Sequence, residues 1–307
     1  VNQHRRPPAS GNAAGDAIAD DGAAAFLAVR PRLLAIAHRM LGTMGDAEDV
    51  VQDAFLRFHA AGGAIDNPEA WLITVTSRLA IDRLRAARRE RAAYDGPWLP
   101  EPWTGPDDGD AFAGDLPYAV LVLIERLGPV ERCAFVLRAL IDMPYARLAE
   151  VLGRSEAACR QIVARARRRL GDGQIPAAPG DVLARRRRHE RLMEEFRLAL
   201  AAGDAERLIG LLAPDATITS DGGGKVLAAR NIVRGAGRIV RLVLGVARKL
   251  GRGRVDRPAR FAGEAGFVTY EEERPVRIVM AASDGERITA IYFVLNPDKL
   301  VRMPADG

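Results

Sequence analysis

Between Glu156 and Leu170 the chain sets Arg160, Arg165, Arg167, Arg168 and Arg169 against a single acid, Glu156. Arginines on a helix that fits the major groove bond phosphates for position and base edges for identity. Ser155 is a natural N-cap, which puts Ala158, Cys159, Arg160 and Gln161 in the first turns of that helix. Pro144 to Leu152 reads as a preceding helix, and Gly153-Arg154 as the short turn between them, the helix-turn-helix outline. Arg167 to Arg169 alone would equally suit a solvated helix end favoured by the dipole. The cap, the tight turn and a second basic segment together favour nucleic acid.

That second segment carries Arg78, Arg83, Arg85, Arg88 and Arg89, with Trp71 as the nearest large aromatic. Ahead of both segments a helix from Asp46 to His59 has the opposite sign at its start, with Asp46, Glu48 and Asp49 where the dipole favours acids. It suits a protein partner rather than DNA. Catalytic chemistry is poorly supplied. His189 is the sole histidine of residues 185–303 and lies in a basic helical run, read as exposed; Asp215 and Asp221 lack an evident orienting partner. Cys133 and Cys159, the only cysteines, fall inside helical patterns, so neither a disulfide scaffold nor a cysteine-rich zinc site is expected. The reading is of a non-enzyme with no catalytic residue, metal or cofactor.

The elements that position these residues follow from periodicity. The 307 residues carry a net charge of +5, enough chain for two or three domains. Residues 1–20 are rich in Pro, Gly and Ala without a signal-type apolar run, and read as a disordered tail. Residues 21–94 form a helical unit: a first stripe through Phe26, Val29, Leu33 and Ile36, the acidic helix, and a third helix opened by Asn67-Pro68-Glu69. Residues 95–115 are a linker whose Trp98 and Trp103 are too apolar for a passive spacer. Residues 116–172 hold the helix-turn-helix unit, and 173–184 a second linker. From 185 to 303 the texture changes to α+β: helices over 185–200 and 208–212, a strand over 216–220 ending at Asp221-Gly222-Gly223-Gly224-Lys225, a helix over 231–250, then strands over 260–272, 276–281 and 288–295. No run approaches membrane-spanning length, so a cytoplasmic, membrane-free setting is expected.

The string Asp46-Ala47-Glu48-Asp49-Val50-Val51-Gln52-Asp53-Ala54-Phe55-Leu56 resembles region 2 of the extracytoplasmic-function (ECF) RNA polymerase sigma factors. Pro68-Glu69-Ala70-Trp71-Leu72, continuing through Ala80-Ile81-Asp82-Arg83-Leu84-Arg85, is similar to the part that melts and reads the −10 promoter element. Pro144 to Ser155, with Ala158 to Gln161, resembles region 4, whose second helix reads the −35 element. The chain has Arg78 where most of that family has Asn. The resemblance implies that Asp46, Glu48, Asp49, Gln52, Asp53 and Phe55 bind polymerase; that Trp71, Arg78, Asp82, Arg83, Arg85 and Arg88 meet −10 DNA; and that Ser155, Glu156, Arg160, Gln161, Arg165 and Arg167 meet −35 DNA. The implied partners are promoter DNA and core polymerase, through its β′ clamp helices and β flap.

Trp98-Leu99-Pro100-Glu101-Pro102, Asp221 to Lys225, and Asn296-Pro297-Asp298-Lys299-Leu300 look like signatures of the subgroup with a fused SnoaL-like, NTF2-like cone domain. In that subgroup the extra domain tunes sigma activity. This implies an interdomain regulatory contact involving Trp98, Leu99, Pro100, Glu101, Asp221, Gly222, Gly223, Lys225, Asn296, Pro297, Asp298 and Lys299. For the glycines a plain turn is the rival reading, although three in succession are more than most turns require. A small-molecule ligand in the C-terminal pocket stays open, the free protein is expected to be monomeric, and the alternative function is a polymerase-independent helix-turn-helix regulator.

Overall fold

The structure, a computed structural model, describes residues 13–61, 65–103, 117–171, 182–250, 253–261 and 263–303. The first unit packs α1 (Ala13–Leu41), α2 (Met44–Ala61) and α3 (Pro68–Ala92) against one another. Asn67 opens α3 by accepting the Ala70 N–H at 2.9 Å, with Pro68 at the first helical position. The tail reading covers residues 1–12, which lie outside the described residues, and Ala13 to Asp20, which are helical and extend α1.

The second unit contains α4 (Tyr118–Ile124), α5 (Pro129–Phe135), which runs on through wider π-type turns over Val136–Leu140, α6 (Tyr145–Leu152) and α7 (Glu156–Leu170). Gly153 ends α6 at φ +62°, and Ser155 accepts the Ala158 N–H at 3.2 Å to open α7. On α7 the buried residues Cys159, Ile162, Val163, Ala166 and Leu170 form one stripe, and the arginines stand on the other side.

The third unit is α+β: α8 (Val182–Ala202), α9 (Ala205–Leu211), β1 (Leu212–Asp221), β2 (Val233–Arg234), α10 (Ala236–Leu250), β3 (Arg254–Phe261), β4 (Glu264–Glu271), β5 (Arg274–Ser283) and β6 (Ile288–Val294). The six strands run β2-β1-β6-β5-β4-β3, antiparallel except for the β1–β6 pair. Two helical units followed by an α+β domain is the architecture expected from the sequence.

The central strands β4 to β6 are buried on both faces. Phe267, Val279 and Phe293 lie in register and pack with Phe196, Ile239 and Val243 inside the cone. Their neighbours Val268, Ile278 and Val294, also in register, face outward into a second core continuous with both helical units. Period-two alternation assigns successive residues to different cores. This is why β4 to β6 read as unbroken apolar runs rather than alternating ones.

Several expectations change. The strand drawn over 260–272 is two strands turning at Gly263, φ +79°. Arg254–Phe261 was not anticipated, because an edge strand carrying Arg254, Arg257, Pro258 and Arg260 has no apolar alternation to reveal it. The helix drawn from Asn231 begins only at Ala236, after β2 and Gly235. His189 is buried, not exposed: its Nε2 lies 3.2 Å from the Ala265 carbonyl and its Nδ1 3.3 Å from Ser283 Oγ. Burial holds its pKa below the usual histidine value, and its role is to fasten α8 to the sheet. Among the described residues, no helix is long and apolar enough to cross a membrane, and no cluster of His, Cys, Asp and Glu is built to hold a metal ion.

Candidate nucleic-acid interface and the junction behind it

The outward face of α7 exposes Arg160, Gln161, Arg165, Arg167 and Arg168. Arg160 pairs with Glu156 at 2.6 Å one turn back and stacks 5.0 Å over the Tyr145 ring, which holds its guanidinium at the head of the helix. Ser155 is spent on the helix cap. This is an exposed, basic, well-capped helix of the kind that enters a groove.

The first unit is more self-engaged. Arg83 donates from Nε and Nη2 to Asp46 Oδ1 at 2.9 and 2.7 Å, joining a residue expected at −10 DNA to one expected at polymerase. Thr43 Oγ1 donates to the other oxygen of Asp46 at 2.6 Å. Asp49, Gln52, Asp53, Leu56, Asp82 and Arg83 line a groove of about 430 Å³ between α2 and α3. Phe55 turns inward, its ring 4.5 Å from Phe26 on α1. Trp71 is half-buried against Phe58, and Arg85 pairs with Asp82. Glu48 is held by Arg302, which donates to its two oxygens at 3.1 and 2.5 Å. Arg78 donates to the carbonyl oxygens of Val151 and Glu150 at 3.0 and 2.7 Å, so α3 grips the end of α6. The side chain of Arg88 lies outside the described residues.

Behind both units lies a junction centred on Asp221, which is fully buried. One carboxylate oxygen accepts from Tyr94 Oη at 2.6 Å and from the Gly223 N–H at 3.1 Å. The other accepts from the Leu99 N–H at 2.8 Å and from Lys299 Nζ at 2.7 Å. Lys299 also donates to the Leu99 carbonyl and lies 4.0 Å over the Trp98 ring. Burial pulls its pKa below the ordinary lysine value, opposed by the Asp221 charge. The opposite partner of Trp98 is Arg91, 3.9 Å from the ring centroid. Asn296 donates to Tyr94 Oη at 2.9 Å, and Lys225 pairs with Asp298 at 2.6 Å.

The glycines answer the turn question. Gly223 and Gly224 have φ of +63° and +69°, as a turn would ask. A Cβ on Gly223 would also lie 2.5 Å from the Asn296 side chain, and one on Gly224 3.2 Å from Asp95 Cβ. Gly222 has no special φ, yet a Cβ there would lie 2.5 Å from the Val226 carbonyl oxygen. The loop is thus both a turn and a docked surface.

The linker touches every unit. Glu101 Oε2 accepts the Met44 N–H at the start of α2 at 2.8 Å, and the Glu101 N–H donates to the Gly42 carbonyl at 2.8 Å. Desolvation raises the Glu101 pKa. His38 Nε2 donates to the Glu101 carbonyl at 2.9 Å, and burial lowers its pKa to about 4. Trp103 stands edge-on to His38, so this indole serves the first unit rather than the C-terminal domain. Tyr118 Oη donates to the Pro100 carbonyl at 2.6 Å, and the Tyr118 N–H to Glu264 Oε2 at 2.7 Å. Tyr94, Tyr118, Glu264 and Arg302 carry no spacing signal that would have selected them from the sequence.

Two family models match: Sigma-70 region 2 over residues 25–90 and Sigma-70, region 4 over residues 118–170. The chain is 39% identical over 295 residues to the ECF RNA polymerase sigma factor SigJ of Mycobacterium tuberculosis, covering 91% of this chain and 93% of that one. It is 30% identical over 303 residues to the probable ECF RNA polymerase sigma factor SigI of the same organism, covering 94% and 97%. The crystal structure of the M. tuberculosis SigJ superposes with a TM-score of 0.72 at 36% identity, over 91% of this chain and 98% of that one.

Proposed function

The chain belongs to the ECF RNA polymerase sigma factors, which direct core polymerase to promoters, and on that premise we propose that its C-terminal cone domain sets the relative placement of the two DNA-reading units. Region 2 is taken as residues 21–94, region 4 as 116–172 and the cone domain as 185–303, joined by linkers over 95–115 and 173–184. In this reading the α2–α3 groove at Asp49, Gln52 and Asp53 receives the β′ clamp helices, and region 4 meets the β flap. Arg160, Gln161 and Arg165 read the −35 major groove; Trp71, Asp82 and Arg85 act at the −10 element.

The observation that carries the proposal is the bond from Arg78 to the end of α6. The two promoter elements lie some 25 base pairs apart, roughly 85 Å along B-DNA at 3.4 Å per step. An α3 in contact with α6 does not span that distance. The observed arrangement is therefore a resting one, in which a residue expected at −10 DNA is occupied by the helix-turn-helix. The Asp221–Lys299 junction stabilises it, because it ties the end of α3, the linker and the cone domain through one buried carboxylate.

The test is promoter-dependent run-off transcription with core polymerase and the full chain carrying Asp221→Asn. A folded variant that binds core polymerase is expected to yield more transcript, with a larger distance between probes on α3 and α7 in the free protein. Equal transcript and an unchanged distance would count against the proposal.

A further inference from the structure

On the far side of the sheet from regions 2 and 4, α10 packs against β1 and α9 and turns a basic face to solvent. Its sequence from Ala236 to Leu250 contains no acidic residue. Ile239, Val240 and Val243 are buried; Arg238, Arg241, Arg248 and Lys249 are exposed. At 3.6 residues per turn these four fall within an arc of roughly 100° opposite the buried stripe, spread along about 16 Å of axis. Among the described residues, no ion pair joins any of the four to an acid. Arg234, also exposed, precedes the helix by one glycine.

In the middle of that arc, between Arg241 and Arg248, stands Gly245. A Cβ there would meet nothing within 4 Å. Glycine in a helix interior weakens it relative to alanine, and among the described residues no packing asks for it. A glycine at the centre of a basic face lets an extended backbone come close to the helix axis. The arc holds no large apolar residue, whereas protein interfaces are built on an apolar core and are depleted of lysine.

We propose that this face of α10 is a contact surface for the sugar-phosphate backbone of duplex DNA, sequence-independent and separate from the −10 and −35 readers. Charge complementarity carries the assignment: cations in a row, without acids or aromatics, match a polyanion and offer nothing for base readout. The inference uses the family function only to place duplex DNA beside the protein.

The experiment measures promoter binding by core polymerase with the full chain across a salt series. It compares the parent with Arg238→Gln/Arg241→Gln/Arg248→Gln and, separately, with Gly245→Ala. Each lost phosphate contact lowers the slope of log affinity against log salt by about 0.9, so the triple variant is expected to lose about two to three in slope. Gly245→Ala is expected to melt higher than the parent yet bind DNA more weakly, which a purely structural glycine would not do. An unchanged slope in the triple variant overturns the proposal. So does a loss of affinity for core polymerase itself, which would assign the face to an acidic protein surface. A Gly245→Ala protein that binds like the parent overturns the close approach. Promoter-dependent transcript from the triple variant at low salt separates any of these failures from a failure of promoter direction.

Discussion

Lys299 Nζ lies 2.7 Å from Asp221 Oδ2, and the pair is almost wholly out of water, with side-chain exposures of 6% and 0%. A pair this dry is held by the groups around it: Tyr94, Leu99 and Gly223 satisfy the carboxylate, and Leu99 and Trp98 the ammonium.

Removing one partner leaves the other charge buried and alone, which typically costs about 3–5 kcal/mol. Lys299→Met is therefore expected to lower stability by that order. Asp221→Asn in the same background should restore part of the loss. A denaturant titration of the two single variants and the double variant measures the coupling, and additivity would show that the pair does not act as a unit.

Glu264 makes a pH-dependent contribution of opposite sign to that of an ordinary ion-paired acid. Burial raises its pKa from 4.5 to about 7, although it accepts the Tyr118 N–H at the start of α4. The folded state thus holds the proton more tightly than the unfolded chain. Its contribution is fully present below about pH 4.5 and is lost as pH rises through 7. Glu264→Gln should flatten the decline across that window, with a gain on the order of 2 kcal/mol above neutrality after allowance for partial exposure. Thermal melts of both proteins from pH 5 to 8 check the sign.

Gly42 is the floor under Trp98. It sits at φ +77°, and a Cβ would lie 2.3 Å from Trp98 Cη2. Gly42→Ala is expected to cost roughly 2–4 kcal/mol, from clash and backbone strain together. In a Trp98→Ala background only the strain should remain, about 1–2 kcal/mol. Equal costs in the two backgrounds would mean that the indole moves aside freely.

On α7 the two kinds of arginine should separate. Arg160 is placed by Glu156 and Tyr145 at the helix head, and Arg160→Ala is expected to change which −35 sequence is preferred, at about 1–3 kcal/mol per altered contact. Arg167→Gln should weaken all sequences alike and reduce the salt slope by about 1. Competition among −35 variants in a holoenzyme binding assay distinguishes the two.

The two helical regions were legible because their signals are local: the Asn67-Pro68 start, the Ser155 cap, the Gly153 stop and the arginine face of α7 are each written within one or two turns. The alliance of linker, Asp221 loop and Lys299 was reached through family resemblance, since no spacing rule brings residues 99, 221 and 299 together. Edge strand β3 was hidden by its charges, and the burial of His189 by the arginines around it. For the bond from Arg78 to α6 the sequence offered only the departure from the family's Asn, which names no partner. A guanidinium that caps another helix looks, in one dimension, the same as one that waits for phosphate.

The sheet that carries one core on each face behaves as a party wall. Ile278 belongs to one household and Val279 to the other, though they are neighbours in the chain. Cutting away the cone domain would strip the lining from Tyr118 and Leu99, and leave the sigma regions with a raw apolar flank. A truncated chain is thus a different surface, prone to self-association, before it is a deregulated factor. Neither household can be renovated without consulting the other, because a change of side-chain volume on one face of the sheet shifts the strand that both cores share.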